Sequence, residues 1–344
     1  MRLIIPEGYK SLITLKETEK ILQMLKDHFE AGLSADFRLR RVTAPLFVLK
    51  GTGLNDDLHG YEKPVVFPIK DMRGQEAEVV QSLAKWKRMM LRDYDISLGY
   101  GIYTDMNALR PDEELDNLHS LYVDQWDWEK AIRPEDRTLD TLKEAVELIW
   151  QNIKRTEFFI YTFYSNLEPV LPENITFIHS EELYEMYPDL SPKDREDKIA
   201  EKHGAVFIIG IGHELPDGKP HDLRAPDYDD WSTETTKGFR GLNGDIIVWN
   251  QVLECAVELT SMGIRVDKEE LMLQLDMSNK MEDAELLFHR RLLNEELPSS
   301  MGGGIGQSRT AMQLLRKAHI GECQSAIWPG EMMDHCRRSG IQLI

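Results

Sequence analysis

Between Leu253 and Thr260 the side chains change character at every step: Leu253, Cys255, Val257 and Leu259 fall on one parity, Glu254, Ala256, Glu258 and Thr260 on the other. A period of two is the pattern of a strand with one face in a core, and here the opposite face carries acids. Two uninterrupted apolar runs, 205–210 (AVFIIG) and 246–249 (IIVW), read as buried strands. Helical patterns lie among them. Thr14 and Glu17 have capping-box spacing, Leu22, Leu25 and Phe29 share a face, and Gly32 marks a stop, which predicts a helix over 17–31. Residues 37–42 alternate as a strand up to Pro45. Thr141 and Glu144 repeat the capping-box spacing ahead of a stripe of Leu142, Val146, Ile149 and Ile153. Ser191-Pro192 reads as the first two positions of a short helix. Two helices are expected near 268–276 and 282–295, and a glycine run at 302–306 leads into a helix starting near Ser308. Strands and helices mix without a steady βαβ rhythm, so the expected class is α+β, a largely antiparallel β-sheet flanked by helices.

The chain of 344 residues shows no repeat, low-complexity tract or Gly/Ser linker, which favours one domain over 1–344. Lys and Arg number 41 against 60 Asp and Glu, a net charge of −19. Nucleic acids and membrane surfaces are polyanions, so neither is an expected partner, although a local basic pocket for a small anion remains compatible. No apolar run approaches the length of a membrane span. Cys255, Cys323 and Cys336 are too few for a disulfide framework and lack zinc-ligand spacing. A reducing, cytoplasmic setting fits, and Met1-Arg2 opens only a short apolar stretch broken by Pro6, unlike a secretory leader.

Several segments offer chemistry. Residues 81–88 (QSLAKWKR) put three cations and a hydroxyl into one short stretch; composition alone reads it as a solvated basic helix face. Arg110, after an apolar stretch and before a turn, has the fork geometry to clamp a phosphate or carboxylate. In 122–129 (YVDQWDWE), Gln125 and Asp127 share a strand parity, offering an amide and a carboxylate side by side to an ammonium group; an exposed polar face is the plain alternative. The loop 224–231 (RAPDYDDW) suits a metal, an amine or simple turn chemistry. Asp245 and Glu258, on successive strands, form a carboxylate pair of the kind that holds Mg²⁺ against phosphates, or else sheet acids facing solvent. The segment ending in Gly306-Gln307-Ser308-Arg309 is neither a Walker loop nor a dinucleotide fingerprint. It allows close backbone approach and sets Arg309 on a first helical turn, where a planar cation stacks on a purine.

Taken together, these segments resemble the catalytic core of class II aminoacyl-tRNA synthetases. Residues 41–46 (RVTAPL) resemble motif 1, with its interface proline, 109–113 (LRPDE) the motif 2 arginine loop, and 304–309 (GIGQSR) motif 3. A narrower resemblance, over about 35–330, is to ammonia-dependent asparagine synthetases (aspartate–ammonia ligases). It rests on 82–88, 123–129, 224–231, 241–246 (GLNGDI), 261–266 (SMGIRV) and 302–309. That family makes asparagine from aspartate, ammonia and ATP through a β-aspartyl-adenylate, releasing AMP and pyrophosphate.

The resemblance implies a role for each matching residue. Arg110 holds the α-phosphate, Arg309 stacks on adenine, and Arg224, Asp229 and Ser261 join them at ATP. Asp245 and Glu258 hold Mg²⁺. Lys87 and Arg265 grip the α-carboxylate of an aspartate turned end for end relative to the tRNA enzymes, while Asp127, with Ser82 and Gln125, takes the amino group. Asp56, in 53–57 (GLNDD), accepts a proton from ammonium. Pro45 implies a homodimer. Glu258 and Arg265 are seven apart, which opposes them on a regular strand; a bulge at Gly263 is expected to restore one face. The alternative is a truncated aspartyl- or asparaginyl-tRNA synthetase paralogue; the chain's charge and the few residues beyond the core argue against a tRNA surface or an anticodon-binding barrel.

Overall fold

The protein is described from a computed structural model covering residues 3–56, 58 and 62–344; Met1, Arg2, Asp57 and residues 59–61 lie outside the described residues. Its strands are β1 (Leu39–Arg41), β2 (Phe47–Leu49), β3 (Val66–Pro68), β4 (Glu76–Val79), β5 (Gly101–Leu109), β6 (Tyr122–Ala131), β7 (Thr176–His179), β8 (Ala205–Ile209), β9 (Asn243–Asn250), β10 (Cys255–Ile264) and β11 (Ser300–Gly306). The α-helices are α1 (Leu15–Phe37), α2 (Ala84–Asp93), α3 (Leu139–Phe163), α4 (Ser180–Met186), α5 (Pro192–His203), α6 (Lys268–Met277), α7 (Leu287–Leu293), α8 (Gln307–Leu314) and α9 (Gly330–Arg338). Eight strands form one sheet in the order β1-β5-β6-β11-β10-β9-β8-β7, and β2-β4-β3 form a small second sheet. The main sheet is antiparallel from β5 through to β8; only its outer pairs, β1 with β5 and β7 with β8, are parallel. The α+β expectation therefore holds.

Strand parity divides the sheet into two faces. Trp126 and Trp128 of β6 point to one side, where Trp126 stacks on Phe29 of α1 with ring centroids 4.2 Å apart and Trp128 meets Phe37 at 4.7 Å. The predicted stripe of α3, Leu142, Val146, Ile149 and Ile153, is buried in the same core. On the opposite face, Val206, Ile208, Ile247 and Ala256 pack against Leu183 of α4 and Ile199 of α5. Beyond the other side of the site, Met89 of α2 packs with Leu271 and Leu275 of α6 and Phe288 of α7. The middle of this second face, between those two packed ends, carries the polar residues of β6 and β10.

Element boundaries differ from the sequence reading for identifiable reasons. The Thr14/Glu17 capping box forms, with Thr14 N–H donating to Glu17 Oε2 at 2.7 Å and Glu17 N–H donating to Thr14 Oγ1 at 3.3 Å. The helix then runs through Gly32, because Gly32 is a contact and not a stop: a Cβ there would meet Asn152 Oδ1 of α3 at 2.0 Å. It ends at Arg38, which adopts a left-handed φ of 58°, and the strand that follows is only Leu39–Arg41. The α3 cap is Thr138, whose Oγ1 accepts Thr141 N–H at 3.2 Å, so the helix begins ahead of the predicted box. Glu254 turns at φ 51°, leaving Leu253 and Glu254 outside β10. The expected helix over 282–295 is a 3₁₀ turn, Met281–Glu285, followed by α7. No helix among the described residues is long and apolar enough to cross a membrane.

Candidate active site

A cavity of about 320 Å³ opens over the polar middle of the sheet. Asp56, Ser82, Lys87, Arg110, Gln125, Asp127, Arg224, Asp229, Glu258, Ser261, Arg265 and Arg309 all line it. Of the residues predicted from sequence, only Asp245 is absent from the wall. It stands behind it, buried, with its carboxylate bound by Arg224 Nη2.

The end expected to take the amino acid is assembled by β6, β10, β11 and α2. Gln125, Asp127 and Glu129 alternate with the core tryptophans and so face the cavity side. β11 lies between β6 and β10, and its glycines leave the space above the strand to its neighbours: a Cβ on Gly304 would meet Gln125 Oε1 at 2.2 Å, and one on Gly302 would meet Glu129 Oε2 at 2.0 Å. Lys87, buried on α2, donates to the Asp127 carboxylate and, at 3.1 Å, to Gly303 O. Arg265 is held from two sides. Its Nε and Nη2 fork onto Glu129 at 3.1 and 2.8 Å, and its Nη1 donates to Asp229. Ser300 Oγ donates to Glu129 Oε1 at 2.7 Å. Burial would raise the Glu129 carboxyl, but Arg265 and these hydrogen bonds hold it below the usual carboxylate range. For Asp229 burial prevails over Arg265 and Arg224, and its carboxyl is pushed up.

At the other end Arg224 is held by Asp222 and Asp245, but two further cations are less committed. Arg110 Nε has no protein partner. Arg309 Nη1 makes only long contacts to Glu258, 3.3 Å to its carbonyl and 3.4 Å to Oε2. Asp245 Oδ1 is buried and unpartnered, and burial with Glu258 nearby lifts the Asp245 carboxyl to about 7 despite Arg224. Asp56, in the loop after β2, has Oδ1 bound by Leu58 N–H at 3.1 Å and Oδ2 buried without a partner; burial raises its carboxyl as well.

Three readings of the sequence are corrected here. Lys85, Lys87 and Arg88 are all buried, so 81–88 is not a solvated basic face; Lys87 faces the cavity, and the other two bind Asp227 and backbone carbonyls. The bulge that brings Glu258 and Arg265 to one face lies between Glu258 and Thr260, not at Gly263. It moves the core parity from Val257 and Leu259 to Met262 and Ile264. Gly263 instead makes room, since a Cβ there would meet Asp229 Oδ1 at 2.7 Å. The acids of 224–231 are also not one cluster. Asp227 binds Lys85 and His289, Asp229 binds Arg265 where it lines the cavity, and Asp230 binds Arg137. Among the described residues no group of three His, Cys, Asp or Glu could hold a metal by itself. Glu129 received no role from the sequence, although its parity with Gln125 and Asp127 was the available signal. His289 and Lys85 carried no signal, because their partner Asp227 is remote in sequence.

Known proteins share both the arrangement and the sequence. In fold, the chain is similar to the asparaginyl-tRNA synthetase of Pyrococcus horikoshii complexed with asparaginyl-adenylate (TM-score 0.68, 15% identity, 92% of this chain and 70% of that one). It is also similar to that of Entamoeba histolytica (TM-score 0.67, 12% identity), and spans 66% of that chain. The fold is thus that of the class II synthetase core. Sequence similarity is closer to another group. An aspartate–ammonia ligase of Bacteroides fragilis is 59% identical over 342 residues, 99% of both chains. One of Clostridium perfringens is 53% identical over 343 residues, 100% of this chain and 99% of that one. The family model described as aspartate-ammonia ligase matches residues 16–340. With full-length relatives at such identity and a family match over nearly its whole length, this chain belongs to the aspartate–ammonia ligase family.

Proposed function

We propose that the protein is an ATP-dependent ligase that makes L-asparagine from L-aspartate and ammonia through a β-aspartyl-adenylate. The observation that carries this reading is the polarity of the cavity. One end holds a buried, mutually paired set, Lys87 with Asp127 and Arg265 with Glu129 and Asp229; the other holds Arg110, whose Nε is unpartnered, and Arg309, held only by contacts of 3.3–3.4 Å. An α-amino acid carries a carboxylate and an ammonium on one carbon, which matches a lysine and a carboxylate side by side. Lys87 and Arg265 then take the α-carboxylate, and Asp127, with Ser82 and Gln125, takes the α-ammonium. The β-carboxylate is left pointing toward the arginines.

The β-carboxylate oxygen bonds to the α-phosphorus of ATP, and the bond from that phosphorus to the pyrophosphate oxygen breaks. Arg110 neutralises the charge that accumulates on the transferring phosphate, and Arg309 offers its plane to adenine. Arg224 and Ser261 line the same end. Ammonia then bonds to the β-acyl carbon, the C–O bond breaks with its electron pair leaving on AMP, and the nitrogen sheds its extra proton. Asp56, with its free buried oxygen, is the acceptor for the proton that ammonium must lose first. Asp245 and Glu258 would hold Mg²⁺: their carboxylates are hard donors on neighbouring strands, and Asp245 Oδ1 is buried without a partner. When bound, it supplies neutralisation of the phosphates.

The same reading carries a single catalytic unit over 1–344, a cytoplasmic setting with no nucleic-acid or membrane partner, and a homodimer. Exposed Leu46 and Phe47 beside Pro45 support the last. The test is an assay with aspartate, ATP, Mg²⁺ and ammonium: equimolar AMP and asparagine are expected. AMP formed without asparagine, and only when tRNA is added, would favour the synthetase-paralogue alternative.

A further inference from the structure

Behind the cavity wall at Asp56 lies a cluster of ionisable side chains that no step above uses. Lys85 sits on α2, Asp227 on the loop ahead of β9 and His289 on α7, and all three are buried. Two of them reach the same oxygen: Lys85 Nζ donates to Asp227 Oδ2 at 2.7 Å, and His289 Nε2 lies 3.0 Å from it. Asp227 Oδ1 and His289 Nδ1 are buried with no hydrogen-bond partner. Buried ion pairs contribute little net stability, because desolvation offsets their attraction, so this cluster is not explained by folding alone.

Its neighbour is Asp56. The loop that carries Asp56 is tied to both helices: Gln81 N–H, just ahead of α2, donates to Asn55 Oδ1 at 2.8 Å, Asn55 Nδ2 donates to Val79 O at 3.0 Å, and Leu54 packs on the cluster that contains Phe288 of α7. Lys85 from α2 and Asp227 and Tyr228 from the loop ahead of β9 bear on the Asp56 carboxylate. Burial raises Asp56, Lys85 is the strongest opposing influence, Asp227 adds to the rise, and the Tyr228 hydroxyl beside it opposes it. Asp56 faces the cavity, whereas Lys85, Asp227 and His289 do not line it.

We infer that Lys85, Asp227 and His289 are positioning residues for Asp56, with Asp227 and His289 fixing the Lys85 ammonium behind the carboxylate that takes the proton of ammonium. The inference rests on the ligase reading above. One proton passes from ammonium to Asp56 Oδ2, and the N–H electron pair stays on nitrogen as the lone pair that attacks the acyl carbon. Asp56 then returns its proton to solvent through the cavity. Lys85 keeps Asp56 ionised between turnovers, and Asp227 tempers Lys85 so that Asp56 remains basic enough to accept.

The two charges therefore act in opposite senses. Lys85→Met is expected to move the acid limb of the pH profile for ammonium-dependent asparagine synthesis up by about one unit, and Asp227→Asn to move it down by about one. Asp227→Asn also slows that synthesis by about tenfold above the limb, as a weaker base does. Aspartate-dependent ATP–pyrophosphate exchange stays near wild type in both. So does hydroxamate formation from hydroxylamine, which is neutral at pH 7 and needs no base. Limbs that do not move, or move the same way, or equal losses with ammonium and hydroxylamine, overturn the inference. Should either variant fail to fold, His289→Gln keeps a donor toward Asp227 and is expected to raise the KM for ammonium without altering exchange; an unchanged KM overturns the inference. A wild-type enzyme without aspartate-dependent exchange would instead overturn the ligase reading itself.

Discussion

The two ends of the cavity are built on different principles. At the end proposed for aspartate every charge is buried and answered by another protein group: Lys87 by Asp127, Arg265 by Glu129 and Asp229, Glu129 again by Ser300. At the end proposed for the phosphates Arg224 is paired with Asp222 and Asp245, but Arg309 is partly exposed and held only by contacts of 3.3–3.4 Å, and Arg110 keeps a donor free. A small zwitterion must be recognised by groups already in place, because a buried charge left unpaired is costly. A triphosphate brings its own charge, so the arginines proposed to meet it need reach more than rigidity.

Substitutions can break this contrast, and the largest effect belongs to the wired end. Asp127→Asn deprives both Lys87 and the substrate ammonium of a counter-charge. Losing one partner of a buried pair costs about 3–5 kcal/mol, and each 1.4 kcal/mol is tenfold, so kcat/KM for aspartate should fall by at least about a hundredfold. The ATP KM should stay near wild type. Next, Glu129→Gln should lower folding stability by about 3 kcal/mol in chemical denaturation, because Arg265 loses its bidentate partner at full burial. Arg309→Ala is the counterpart: it should cut kcat/KM for ATP by roughly tenfold or more through lost stacking and phosphate contact, with denaturation midpoints unmoved. If Arg309→Ala destabilised the fold as much as Glu129→Gln, the contrast would fail. Gly304→Ala should have a smaller and selective effect, raising the aspartate KM several-fold by pushing aside the Gln125 amide, with ATP use intact.

Acid sharpens the comparison between site and scaffold. His179 and His319 are buried and pushed down to about 4 by burial. In the unfolded chain they bind protons from about pH 6.5 downward, in the folded one only near 4, so stability falls as pH falls across that window. The slope is about 1.4 kcal/mol per pH unit for each histidine. Glu129 is lowered too, but it titrates beneath this window, its folded carboxyl lying below the unfolded value. Its contribution is present above the unfolded value and is lost only as pH falls through the lower, folded one. Between pH 6.5 and 4 the scaffold should therefore weaken while the Glu129–Arg265 pair stays ionised, which chemical denaturation of wild type and Glu129→Gln at several pH values would measure.

Much of this site was legible in the sequence because it rides on regular strands. Period-two parity put Gln125 and Asp127 on one face, and the glycines of β11 signalled a crowded backbone. The bulge was legible only as a need: Glu258 and Arg265 had to share a face, but a free-rotating Gly263 was the more conspicuous place for it than the 258–260 step. The buried fate of Lys85, Lys87 and Arg88 was hidden, since their partners Asp227, Asp127 and Val266 lie on other elements and cations in a helix look solvated until the facing carboxylates are known. Gly32 misled for the same reason, as its contact with Asn152 is tertiary.

The central claim is that the paired end holds the α-carbon of aspartate and turns its β-carboxylate to ATP. Trapping the activated intermediate with hydroxylamine tests this directly, because the hydroxamate forms at whichever carboxyl was adenylated. The account predicts β-aspartyl hydroxamate as the product; α-aspartyl hydroxamate would mean that the substrate lies the other way round and would contradict it.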